Sequence, residues 1–124
     1  MIRIGGSTFS KRPFRPQVEL LRDAGFDYFE IDLAWLEPGA KLETEALELA
    51  EILPIKTAHL PPSRFTREDQ ERFQRFLDYT AMAGPRIYNI HLAPSRLTPN
   101  ISLDVRTQWL VEFTDAAHAR GLTG

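Results

Sequence analysis

The chain has 124 residues, of which 43% are hydrophobic and 26% charged, the composition of one ordinary globular domain. Seventeen acidic against fifteen basic side chains give a net charge of −2, so the broad positive field that non-specific nucleic-acid binding needs is missing. There is no cysteine, which excludes disulfides and thiolate metal sites, and no apolar run is long enough to span a bilayer or act as a secretory signal. A cytoplasmic location without membrane contact is expected.

In chain order, "IRIGG" reads as an opening strand. "RPQVELLRDAG" follows as a helix, with Pro16 in its first turn, Val18, Leu21 and Ala24 on one stripe, and Gly25 as its stop. "DYFEIDLAW" is too short and too alternating for a helix, and predicts a strand from Tyr28 to Leu33. "KLETEALELAEIL" then places Leu42, Ala46, Leu49, Ala50 and Leu53 at helical spacing, stops at Pro54, and leads into the strand "IKTAHL". Thr66 is a candidate N-cap for a third helix with Phe73, Phe76, Leu77 and Thr80 inward; Gly84 ends it. "RIYNIHL" predicts a fourth strand, and a last helix begins near Ser102 with Val105, Trp109, Phe113, Ala116 and Ala117 inward.

Strand and helix thus alternate four times, in units near 1–26, 27–54, 55–85 and 86–124 of a single domain, each the size of one βα unit. That alternation predicts a parallel sheet. The near copies "AHLPP" and "IHLAP", 32 positions apart, then fall at the same end of two neighbouring strands.

Two parallel architectures compete, an open doubly wound sheet and part of a (βα)8 barrel. Central strands of a doubly wound sheet are covered on both faces and read as nearly continuous apolar runs. Here Tyr28, Glu30 and Asp32 share one face with Phe29, Ile31 and Leu33 across from them. Asn89 and His91 oppose Tyr88, Ile90 and Leu92; Thr57 and His59 oppose Ala58 and Leu60; and Arg3 opposes Ile2 and Ile4. Only Lys56 interrupts the apolar side. One polar and one apolar face favours a barrel wall with helices outside and chemistry at the mouth. A full barrel takes about 250 residues. Four units predict half of one, either the N-terminal half of a longer protein or a half-barrel that pairs with a second copy through its exposed sheet edges.

The polar face collects Arg3, Glu30, Asp32, Thr57, His59, Asn89 and His91. Imidazole nitrogen and carboxylate oxygen suit zinc, manganese or iron, and histidine titrates near neutrality, so a divalent-metal or acid/base site is one expectation. Structural explanations stand beside it: strand histidines are commonly hydrogen-bonded packing residues, and Glu30 and Asp32 could be held in salt bridges to Arg3 or another arginine. Trp35 is placed either to stack on a ligand or to pack on the rim, and His118 reads as helix-end surface. Glycine-rich phosphate loops, a Ser/His/Asp order and a two-histidine helix motif are all missing.

"LLRDAGFDYFEIDL", with a glutamate at the end of the second strand, resembles the xylose isomerase-like TIM barrels, the superfamily of sugar isomerases and epimerases that also includes endonuclease IV. "AHLPP" and "IHLAP" are similar to the histidine-bearing strand ends of endonuclease IV. The resemblance implies His59 and His91 as metal ligands and Glu30 as a substrate-side or supporting carboxylate, and Glu30 and His59 are expected as the catalytic groups. Arg3, Asp32, Trp35 and Asn89 become substrate-side residues. It implies a divalent cation (zinc, manganese, magnesium or cobalt) and a sugar or polyol as substrate rather than nucleic acid. Glu30 is closer to the sugar branch than to the zinc-dependent phosphodiesterase branch acting at abasic DNA. Most metal ligands of the family lie on later strands, so the 124 residues alone are expected to be inactive.

Overall fold

In the computed structural model, residues 2–91 and 100–122 are described. Four short strands, β1 (Gly5–Ser7), β2 (Tyr28–Asp32), β3 (Ile55–His59) and β4 (Ile87–Asn89), form one sheet in sequential order, and every neighbouring pair is parallel. The crossovers are α1 (Phe14–Asp23), α2 (Ala40–Ile52) and α3 (Arg67–Thr80), with a short 3-10 turn at Ala81–Ala83; α4 (Leu103–Ala119) follows β4. No described helix is long and apolar enough to cross a membrane.

The helix boundaries follow local chemistry. Thr66 caps α3 by accepting the Asp69 N–H at 3.1 Å, and Ser102 caps α4 by accepting that of Val105 at 3.2 Å. At the far end of α2, Leu53 is already extended (φ −152°, ψ 135°) because Pro54 disfavours the helical conformation before it. Gly84, between the 3-10 turn and β4, has φ 122°, and a Cβ there would stand 2.9 Å from the Ile55 carbonyl oxygen. Glycine is therefore required on both counts.

All the helices press on one side of the sheet. Phe29, Ile31, Leu33, Ala58, Leu60 and Tyr88 point into a single core with Val18, Ala46, Leu49, Phe73, Phe76 and Leu77. The expected stripes hold with two changes. On α1 the buried partner of Val18 is Phe14, while Ala24 is exposed; on α4 Trp109, Phe113 and Ala117 are buried, while Val105 is half exposed at 50%. The first strand is also displaced. The apolar pair Ile2 and Ile4 pointed to a strand over "IRIGG", but both are exposed, and the ladder begins at Gly5 opposite Tyr28.

Lys56, the one cation on the apolar side of the predicted third strand, is accommodated by a bulge. Phe29 pairs with Ile55 and Glu30 with Thr57, so β3 carries one extra residue. The extra residue is Lys56, whose ammonium lies 5.8 Å from the ring of Tyr28 on the open face. The bulge restores the alternation, and Ala58 and Leu60 stay buried.

Tyr88 ties β4 to α3. Thr80 gives its hydroxyl proton to the Phe76 carbonyl at 2.7 Å, so the phenol of Tyr88 supplies the proton of the 2.8 Å bond between them. Burial pushes the Tyr88 phenol above its ordinary value near 10; the charge of Arg86 acts the other way without cancelling it. A raised folded-state value means that tyrosine of the unfolded chain ionises first. The contribution to stability is thus complete below the ordinary value and is lost as pH rises from there through the raised one. Tyr88→Phe should cost about 1 kcal/mol near neutrality, for the hydrogen bond. In urea denaturation, the deficit relative to the unmodified chain should shrink above about pH 10.

Candidate functional site

The face turned away from the helices carries a hydrogen-bonded cluster at the C-terminal ends of β2, β3 and β4. Parallel register puts Glu30 beside Thr57, Asp32 beside His59, and His59 beside Asn89. Glu30 is the centre. Its Oε2 accepts from Thr57 Oγ1 at 2.9 Å and from Asn89 Nδ2 at 2.7 Å, and its Oε1 faces His59 Nδ1 at 3.6 Å. The ring of His91 lies against that of His59, with centroids 4.5 Å apart and planes 34° apart. Side-chain exposures of 28% for His59 and 22% for Glu30 leave both partly desolvated yet reachable. An open cavity of about 460 Å³ has Glu30, Asp32, Trp35, His59 and His91 in its wall.

Asp32 shares the face with Glu30 but is occupied differently. Its Oδ2 accepts from the Ser10 amide and hydroxyl at 3.2 and 3.1 Å, and its Oδ1 accepts from the Ala34 amide at 3.0 Å. Thr8 reinforces the link, accepting the Asp32 N–H at 3.2 Å. Asp32 therefore fastens the loop after β1 to the loop after β2. Among the described residues, the contacts that hold these two acids are hydrogen bonds from neutral groups, with His59 beside Glu30.

Arg3 stands apart from the other predicted site residues. It lies before β1, on the same face but at the N-terminal end of the sheet, beside Tyr28 and Lys56. A correct face and the wrong end follow from strand parity, which fixes the side of a side chain but not its height along the strand. Trp35 is 67% exposed rather than packed on the rim, with the Lys11 ammonium 4.2 Å from its ring. His118 is exposed near the end of α4. The second copy of the repeat is described only as far as His91; Leu92, Ala93 and Pro94 lie outside the described residues.

Thr8 and Ser10 were not expected at the site. The signal was the hydroxyl-rich run "GGSTFS" directly after a strand, where short polar side chains bond to backbone and neighbouring carboxylates.

As a metal site the cluster is incomplete. Among the described residues, no three His, Asp or Glu side chains converge on one point. The donor chemistry fits as far as two ligands: with Nδ1 of His59 turned to Glu30, Nε2 is the nitrogen left for a cation, and a carboxylate behind an imidazole is the usual support of a ligating histidine. Compared with known proteins, the sequence matches no family model and no curated protein.

Glu30→Ala removes the shared acceptor of Thr57 and Asn89 from a partly buried place. Stability in urea denaturation should fall by about 1–2 kcal/mol. The Asn89 side-chain amide resonances should move toward those of a solvated amide, while the resonances of Val18 and Phe73 in the core stay in place.

Proposed function

We propose that the chain is the N-terminal half of a xylose isomerase-like (βα)8 barrel, and that the complete barrel isomerises or epimerises a sugar or related polyol with the help of a divalent cation. The observation that carries this reading is the cluster of Glu30, His59 and His91 on the open face at the C-terminal strand ends. In a (βα)8 barrel that is where catalytic groups gather. The sequential strand order also supports a barrel, since a doubly wound sheet reverses its order at a switch point and covers both faces with helices.

His59 and His91 would hold the cation together with ligands from strands beyond these four. When bound, the cation supplies Lewis-acid polarisation of substrate oxygens. Glu30 has two roles open to it. Through Oε1 it orients His59, and the same oxygen, which receives no bond from Thr57 or Asn89, is the one left to take a proton from a carbon next to a carbonyl. Thr57 and Asn89 fix the plane of that carboxylate, so they act as positioning residues. Asp32 holds the loops that frame the mouth, and the exposed indole of Trp35 offers an apolar face to a sugar ring. Arg3 is too far down the sheet to take part.

The test is exchange of solvent deuterium into aldoses and ketoses by the protein expressed from its full reading frame and loaded with manganese or cobalt. Exchange at the carbon next to the carbonyl is expected, with Glu30→Gln lowering kcat/KM by about 100-fold or more. No exchange, together with cleavage of abasic DNA, would replace this reading with the phosphodiesterase one.

A further inference from the structure

The open face has a second end. At the N-terminal edge of the sheet lies a cavity of about 770 Å³, larger than the one at the mouth. Two cationic side chains of the open face stand in its wall, Arg3 ahead of β1 and Lys56 at the bulge, while Ala50, Pro54, Ile55 and Ala83 close it on the helix side. Tyr28 and Ile87 give it apolar surface, and Ile87 is 46% exposed on the side away from the helices. Among the described residues, no carboxylate lines this wall. Asp27, at the same end of β2, is turned to the backbone and accepts the Ile4 N–H at 2.8 Å.

We propose that this inner face is built to receive a second wall of parallel β-strands of different sequence, one that sets carboxylates and apolar side chains against Arg3, Lys56 and Ile87, and that it excludes a second copy of this chain. A copy related by a two-fold axis along the strands would set Arg3 and Lys56 against their own equivalents, and like charges brought together in a closing interface oppose association. A copy turned end for end would point the cations at Glu30 and Asp32. Both oxygens of Asp32 are taken by Ser10 and Ala34, and Glu30 keeps only Oε1 open, beside His59, so such a copy would meet Arg3 and Lys56 with a single open carboxylate oxygen. The acids that complement this face must come from another sequence. The inference rests on the half-barrel reading and is independent of the chemistry at the mouth, because its test involves neither substrate nor metal.

A charge-reversed copy of the chain serves as the probe, since it carries the required chemistry on a backbone of the same shape. Arg3 and Lys56 are both exposed, so Arg3→Glu/Lys56→Glu should fold, with a circular dichroism spectrum matching the parent. If it does not fold, Lys56→Glu alone replaces it. In sedimentation velocity at low salt, the parent and the variant should each run as monomers. An equimolar mixture should produce a species of twice the monomer mass that salt disperses. A dimer of the parent alone overturns the proposal, and so does a mixture that stays monomeric. So too does a saturable rise in the parent's melting temperature with inorganic phosphate that the variant lacks, which would mark a small-anion site instead.

Discussion

A strand that alternates apolar and polar side chains can bury only one of its faces, and everything else in this molecule follows from keeping that alternation in step across four parallel strands. Phe29, Ile31, Ala58, Leu60 and Tyr88 take the helix side, and Glu30, Thr57, His59, Asn89 and His91 are left on the other. A slip of one residue in any strand would carry its polar set into the core. The bulge at Lys56 shows how the constraint is met where the sequence breaks step: one extra residue bulges toward the open side, and pairing resumes with Thr57 beside Glu30.

The open face divides along its length. Its C-terminal end holds hydrogen-bonded carboxylates with two imidazoles beside them, and its N-terminal end holds Arg3 and Lys56 with no carboxylate among the described lining residues. Two residues apart on one strand, Glu30 and Asp32 do different work. Glu30 gathers side chains from β3 and β4 and keeps one oxygen toward His59, whereas both oxygens of Asp32 are spent on fastening loops. Carboxylates at strand ends are thus separated into a poised group and a structural one by their neighbours, not by their chemistry.

The order of elements was legible because each unit carries its own punctuation: Pro54 before β3, Thr66 before α3, Gly84 before β4. Strand faces were legible because parity is a local property. Height along the strand was not, and Arg3 was assigned to the mouth although it sits at the opposite end. The first strand was misplaced because Ile2 and Ile4 have the composition of a strand, whereas pairing depends on where Tyr28 comes alongside. Inward positions on α1 and α4 went wrong at Ala24 and Val105, residues that fit a helical stripe but stay exposed in the fold. The ties from Thr8 and Ser10 to Asp32 cross from one loop to the next, a long-range pairing that no local pattern encodes.

The central claim is that His59 and His91 stand together on the open face at one end of the sheet. Nuclear Overhauser effects between imidazole ring protons test it most directly. The ring separation of 4.5 Å predicts strong cross-peaks between His59 and His91, and none from either ring to Phe73 or Phe76 beneath α3. Cross-peaks from His91 to those buried phenylalanines, with none to His59, would place the two histidines on opposite sides of the sheet and contradict the account.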